Sequence, residues 1–243
     1  MAVNRIRALL VDGVRRLERL LLPSRCLLCA APGVADDLCA ACAAELPRNP
    51  VCCARCAEPL AQPAGLCGAC QREPPPWDAA WVPFRYEWPL DRLESRFKFA
   101  AGLAAGRVLA AQWLAAGAPP SRPDLIVPVP LHRGRLRRRG YNQALELARP
   151  LASGLGIPLR HDVLERVRVT AQQTELDAKR RRANVRGAFR LRPLRDAGLP
   201  AHIALLDDVM TTGATLAECA RVLKRAGVAR VDVWALARAP ARR

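Results

Sequence analysis

Two adjacent carboxylates, Asp207 and Asp208, follow an apolar run that ends at Leu206. Such a run is typical of a buried parallel strand, and ligands bind at the carboxyl end of these strands in α/β folds. The next residues are small or hydroxylic and begin a predicted helix, so their backbone N–H groups and hydroxyls suit a phosphate group. The predicted phosphate loop comprises Val209, Met210, Thr211, Thr212, Gly213, Ala214 and Thr215.

The acids and the loop together favour one class of ligand. Two carboxylates would repel a phosphate unless they bind hydroxyl groups or a divalent cation, so a phosphorylated sugar with a free diol and Mg²⁺ fits the pattern. An ordinary strand followed by a Thr-capped helix would explain either half of the segment, but it does not readily explain both halves together.

Cysteines form a second group of residues whose types and spacing could do chemistry. Eight of the ten make four C-x-x-C pairs: Cys26, Cys29, Cys39, Cys42, Cys53, Cys56, Cys67 and Cys70. A two-residue spacing lets a tight turn point both sulfurs at one ion, and two such turns complete a tetrahedron, so we predict two structural zinc ions. Redox C-x-x-C sites usually occur singly. Cys52 is an alternative ligand, although only Cys53 keeps the two-residue spacing to Cys56.

The chain is strongly basic, with a formal net charge of +17. Such a field favours polyanions, either nucleic acid or a pyrophosphate ester, although compositional drift toward arginine is an alternative explanation. Five arginines lie between Arg133 and Arg139, just after a predicted strand that ends near Val129 and Pro130. This pattern predicts either a rigid turn that aims cations at an anion or a solvated basic loop.

A third basic segment runs from Arg166 to Phe189 and is long for a connection. Its length and polarity favour a mobile functional loop, while a solvated charge run and a nucleic-acid patch remain alternatives.

Three parts of the chain must position these groups. Residues 1–22 have apolar side chains at helical spacing with arginines between them, which predicts an amphipathic helix packed on its own protein, with a position on a membrane surface as the alternative. Residues 23–73 form the predicted double zinc ribbon. Residues 77–243 alternate β-rich runs (125–129, 203–206, 231–236) with helical stretches (93–114, 142–155, 215–226), as in an α/β domain with a mainly parallel sheet. No run has the pattern of a signal peptide or an integral membrane segment, so we expect a cytoplasmic protein.

The segment from Leu205 to Thr215 resembles the phosphoribosyl pyrophosphate (PRPP) motif of type I phosphoribosyltransferases. The resemblance implies that Asp207 and Asp208 are the catalytic acids and hold the ribose hydroxyls, that residues 211–215 hold the 5′-phosphate, and that Mg²⁺ accompanies PRPP. It also implies that a first loop receives pyrophosphate and that a flexible loop closes over PRPP and excludes water, with the pyrophosphate-loop residues Val129, Pro130, Arg139, Gln173 and Arg181.

The order of motifs along the chain is similar to that of the ComF family. Two zinc knuckles are followed by a region with Tyr86, Lys98 and Phe99, then Pro-Val-Pro-Leu, Arg-Gly-Tyr-Asn-Gln and the PRPP motif. The resemblance implies a type I phosphoribosyltransferase fold preceded by a double zinc ribbon. It also implies a PRPP-binding competence protein that acts when single-stranded DNA enters a bacterial cell, beside a competence ATPase or helicase.

An active phosphoribosyltransferase is the alternative function, with an unidentified base or amine as acceptor. No sequence feature names that acceptor. The base-binding hood of type I enzymes would have to come from residues 77–120 or from the ribbon, because the chain stops shortly after the last predicted strand.

Overall fold

The computed structural model describes residues 25–32, 37–99, 102–168, 185–193 and 198–240. The predicted N-terminal helix at 1–22 lies outside these residues, and so do Gln173 and Arg181. The chain divides into two compact units, Met1–Glu45 and Leu46–Arg243.

The first unit contains one pair of cysteine turns. Helix α1 (Ala40–Ala44) begins after Cys39, whose Sγ accepts a hydrogen bond from the backbone N–H of Cys42 at 3.4 Å. A short antiparallel bridge between Arg25 and Pro32 closes the turn around Cys26 and Cys29.

The second unit is built on a parallel sheet. Its strands are β1 (Ala79–Trp81), β2 (Phe84–Arg85), β3 (Leu125–Pro128), β6 (His202–Met210) and β7 (Arg230–Arg238). They lie in the order β1-β7-β6-β3, β2 pairs with the end of β7, and every pairing is parallel. Two further strands, β4 (Leu164–Arg166) and β5 (Phe189–Leu191), form a separate antiparallel pair. The α/β class with a mainly parallel sheet is thereby confirmed.

The described helices of this unit are α2 (Gly68–Arg72), α3 (Leu90–Phe99), α4 (Leu103–Ala115), α5 (Arg133–Arg139), α6 (Gln143–Leu155) and α7 (Ala214–Arg225), of which α4, α6 and α7 pack against the sheet. The core forms because β6 and β7 carry apolar side chains on both faces, as buried central strands require. Trp81 of β1 packs against Trp234 and Trp113, with ring centroids 5.0 and 5.5 Å apart. In the described part of the chain, no helix has the length and apolar character needed to cross a membrane.

Three local expectations need correction. The helix predicted at 93–114 is two helices, and the Phe97 ring of α3 packs so closely on Gly106 of α4 that a Cβ there would lie 2.5 Å from it. The segment after Pro130 is the short helix α5 rather than a turn. Strand β6 does not end at Leu206 but continues to Met210, because β7 runs beside it for its whole length and supplies hydrogen bonds.

Candidate functional site

The acidic pair lies where the sheet becomes open on one side. Strand β3 pairs with β6 only as far as Leu206, whereas β7 pairs with β6 up to Met210. Val129 makes the last contact on the β3 side, where its N–H donates to the Leu206 carbonyl at 2.8 Å. Asp207 and Asp208 therefore follow the end of β3 at the carboxyl edge, with one flank free of strand pairing.

The two carboxyls have different electrostatic environments. Burial raises the pKa of Asp207 well above its usual value, and the charge of Asp208 raises it further. Burial also acts on Asp208, but the Lys98 ammonium and the N–H of Val209 outweigh it and lower the pKa of Asp208. The pair thus combines a carboxyl that is the more readily protonated with one that is the more readily ionised.

A cation from helix α3 completes this pair. The Lys98 Nζ lies 3.2 Å from Asp208 Oδ2 and forms a second ion pair with Glu94, one turn earlier on the same helix. Glu94 is only 1% exposed, burial raises its pKa to about 7, and it accepts a 3.3 Å hydrogen bond from the Tyr86 hydroxyl. Sequence reasoning grouped Tyr86 and Lys98 with the family pattern but assigned neither a contact with the acids.

The phosphate loop turns sharply into helix α7. Gly213 is the N-cap residue with φ of +71°, and Thr212 Oγ1 accepts from the N–H of Ala214 at 3.4 Å. A small open cavity of about 30 Å³ lies at this turn and is lined by Asp207, Val209, Met210, Thr211, Gly213, Ala214, Thr215 and Leu216. The predicted loop residues thus lie together at one helix N-terminus, whose amides and dipole favour an anion.

The predicted pyrophosphate residues are only partly described. Val129 and Pro130 lie at the end of β3, and the Val129 carbonyl accepts from Asn142 Nδ2 at 3.0 Å. Arg139 is the last residue of α5, and its guanidinium lies 5.6 Å from the centre of the exposed Phe99 ring. Asn142 is the N-cap of α6, and its side-chain oxygen accepts a hydrogen bond from the N–H of Ala144 at 3.1 Å.

A further arginine stands near the acids. Arg166, at the end of β4, is buried and lies over the Phe189 ring at 5.2 Å. Burial and the charge of Arg135 lower the pKa of Arg166, while Asp207 acts in the opposite direction. Strands β4 and β5 thus bring the two ends of the third basic segment together, and the charge of Asp207 acts on Arg166 at the end of β4.

The cysteines form two tetrads with the geometry of zinc sites. Within each, the four Sγ atoms lie within 4.8 Å of one another, with separations of 3.7 Å from Cys29 to Cys39 and 3.6 Å from Cys56 to Cys67. A tetrahedron with Zn–S bonds of about 2.3 Å places sulfurs roughly 3.8 Å apart, so the donors fit this ion. Among the described residues, Cys52 belongs to neither tetrad.

One thiol of each tetrad has a lowered pKa, whereas burial and the neighbouring thiols raise the pKa of Cys42 and of Cys56. Burial raises the pKa of Cys26 and of Cys53, but backbone N–H donors outweigh it and lower the values to about 6 and about 7. All four positions of each tetrad are sulfur, which leaves no coordination position for a substrate and indicates a structural role.

The parallel sheet, the acidic pair at its carboxyl edge and the cysteine tetrads define the class: a zinc-ribbon protein with a phosphoribosyltransferase-like α/β domain. The double zinc ribbon family model matches residues 17–71. DNA utilization protein YhgH of Salmonella typhimurium is 40% identical over 90% of this chain and 99% of its own length. Competence protein F of Haemophilus influenzae is 38% identical over 84% of this chain and 91% of its own length. The chain belongs to the ComF family.

Proposed function

We propose that this chain binds PRPP with Mg²⁺ at the carboxyl edge of its sheet and acts in the uptake or use of single-stranded DNA. The observation that carries the proposal is the position of Asp207 and Asp208, beyond the end of β3 and beside the N-terminus of α7. A phosphorylated ribose presents a diol and a phosphate at one time, which matches these two neighbouring features.

Each group has a separate task in this proposal. The carboxyl groups of Asp207 and Asp208, whose pKa values are shifted in opposite directions, suit vicinal hydroxyls, which both donate and accept hydrogen bonds. Lys98 keeps Asp208 ionised when a negatively charged ligand arrives. The amides at the start of α7 and the hydroxyls of Thr211 and Thr212 receive the 5′-phosphate. Bound Mg²⁺ would supply positive charge to the pyrophosphate group of the ligand.

The proposed role with DNA is supported by the names of the relatives and by one surface of this chain. Relatives in two genera are named for DNA utilization and for competence. Helix α5 carries five arginines in seven residues, none of its residues is buried, and the neighbouring Phe99 is 78% exposed. Arginine and an exposed aromatic ring together suit the phosphates and bases of a single strand. We infer that DNA meets this basic surface, named here the α5 surface.

Calorimetric titration of PRPP with Mg²⁺ tests the site. The unmutated protein should bind, and Asp207→Asn/Asp208→Asn should weaken binding by at least about tenfold, or 1.4 kcal/mol. Asp162→Asn is the matched control, since Asp162 is half exposed and pairs only locally with Arg160, and it should leave the affinity within about twofold. Absence of PRPP binding by the unmutated protein would overturn the proposal.

A parallel titration with single-stranded DNA separates the two ligands. Binding that weakens steeply with salt and persists in the Asp variant would place DNA at a separate surface. Loss of DNA binding together with PRPP binding would instead mean one shared site.

Transferase activity is the second candidate. The observation that favours it is the antiparallel β4–β5 pair, which brings together the two ends of the third basic segment and contains the buried Arg166, on which the charge of Asp207 acts. Pyrophosphate release from PRPP in the presence of a panel of bases and amines tests this function. Binding without release for any acceptor of the panel would favour a PRPP-binding protein that does not transfer the ribose.

A further inference from the structure

One turn of the second cysteine tetrad contacts the phosphate loop through a buried arginine. Arg238, at the end of β7, is 7% exposed. Its Nε donates to the Cys56 carbonyl at 3.0 Å, and its Nη2 lies 2.6 Å from a carboxylate oxygen of Glu58. Its Nη1 donates to the carbonyls of Met210, at 3.0 Å, and of Thr211. One guanidinium therefore joins the cysteine turn to the loop that follows the acidic pair.

A tryptophan makes a second connection between the same two segments. The ring N–H of Trp77 donates to the Arg55 carbonyl, and Arg55 Nη1 returns a 3.0 Å hydrogen bond to the Trp77 carbonyl. The far edge of the ring packs on Gly213 so closely that a Cβ there would lie 2.8 Å from it. Trp77 is 3% exposed, so the ring has little freedom to move away.

We propose that the turn from Cys53 to Glu58 positions the phosphate loop, so that metal binding at the second tetrad controls the order of the loop and its affinity for a phosphorylated ligand. Arg238 and Trp77 are the positioning residues. Metal bound by Cys53 and Cys56 fixes the backbone of the turn, and with it the Cys56 carbonyl and the Glu58 carboxylate that hold Arg238. The first tetrad, in the other unit, offers the matched comparison.

The physical basis is the satisfaction of buried polar groups. Arg238 donates to the carbonyls of Met210 and Thr211; the Met210 carbonyl also accepts from the N–H of Ala239 at 2.9 Å, so loss of Arg238 acts mainly on the Thr211 carbonyl, and a carbonyl that loses its donor costs free energy. If the turn loosens, Arg238 loses the carboxylate that neutralises it and must hydrate or move. The loop would then leave the geometry in which its amides face the cavity. In the unmutated protein, zinc binding contributes free energy toward ordering the loop. Without zinc, ligand binding would have to supply this free energy, so the apparent affinity for the ligand would be lower.

Amide hydrogen exchange of the zinc-loaded full chain tests the coupling without any ligand. In Arg238→Met, exchange of residues 210–213 should accelerate by at least about tenfold, a loss of about 1.4 kcal/mol of local protection. Residues 203–206 in the middle of β6 serve as the internal reference and should change less than about twofold. Arg238→Lys retains the positive charge but lacks the planar guanidinium that donates to several acceptors at once. It should show the same acceleration at residues 210–213 to a smaller degree. Arg149→Met, at a side chain that is 60% exposed, should show none.

Two matched cysteine variants then compare the tetrads. Cys67→Ser/Cys70→Ser and Cys39→Ser/Cys42→Ser each remove the N-cap ligand and the helix-borne ligand of one tetrad. Only the variant of the second tetrad should accelerate exchange at 210–213. It should also weaken PRPP binding by about tenfold or more, an expectation that rests on the proposed function.

Exchange at 210–213 within about twofold of the unmutated protein in both Arg238 variants would overturn the coupling, and so would equal effects of the two cysteine variants. Failure of the unmutated protein to bind PRPP would reject the ligand and leave the exchange comparison to decide the coupling.

Discussion

Substitution of Lys98 by Met should destabilise the fold in a manner that depends on pH. The Lys98 Nζ stands between Glu94 and Asp208, and the three side chains are 21%, 1% and 16% exposed. At 3.2 Å and an effective dielectric constant near 20, the attraction to Asp208 alone is about 5 kcal/mol before desolvation. Removal of one partner from a buried pair typically costs about 3–5 kcal/mol, so we expect about 3 kcal/mol at pH 8.

The loss should be smaller at pH 6. Without the ammonium, the pKa values of Glu94 and Asp208 rise, and that of Glu94 is already about 7 in the intact protein. A carboxyl whose pKa is higher in the folded than in the unfolded state favours folding at low pH, and this contribution is lost as pH rises through the folded value. The variant therefore takes up protons on acidification and recovers part of its stability.

Guanidinium unfolding of the zinc-loaded protein at pH 6 and pH 8, followed by circular dichroism, measures both effects. Lys224→Met is the matched control, because Lys224 pairs with Asp78 at 2.7 Å but both side chains are about one third exposed. It should lose about 1 kcal/mol or less at either pH. A loss below about 1 kcal/mol for the Lys98 variant at pH 8, or equal losses at the two pH values, would refute the reasoning.

Two further predictions concern the metal and the loop. Metal analysis should find two zinc ions per chain, one after Cys53→Ser and still two after Cys52→Ser; two ions in the Cys53 variant would contradict the assignment of the second tetrad. Gly213→Ala should cost about 1–3 kcal/mol more than Gly187→Ala, because both glycines have positive φ but only Gly213 is in contact with Trp77. Thermal unfolding measures the difference between the two variants. Equal losses of stability would contradict the prediction, because they would mean that the Trp77 ring moves aside without cost.

The main elements of the α/β domain could be predicted from local pattern. The last strand was expected at 231–236 and spans Arg230–Arg238, and the helix after Asn142 begins and ends within a residue of its expected bounds. These elements are easily found because apolar periodicity and a capping side chain are local signals. The cysteine tetrads could also be predicted from a local pattern, because the spacing of the cysteines alone specifies the donor atoms.

Contacts between distant parts of the chain were not accessible in this way. Lys98 reaches Asp208 across 110 positions, and Arg238 joins Glu58 to Met210, yet none of these cations stands inside a recognisable chemical motif. The extension of β6 past the acids likewise depends on β7, which follows it in the sequence. Such features follow from strand order and register, which hydrophobic patterns do not specify.

The geometry also explains why binding and transfer are separate questions. Contacts of Asp207 and Asp208 with ribose hydroxyls, and of α7 with the 5′-phosphate, would be equally strong before and during departure of pyrophosphate. Interactions of equal strength in both states raise affinity but do not accelerate the chemical step. Acceleration requires groups that meet the charge developing on the leaving pyrophosphate. The predicted pyrophosphate residues Arg139 and Arg181 are the candidates for these groups in a transferase, whereas a binding protein needs only the acids and the loop.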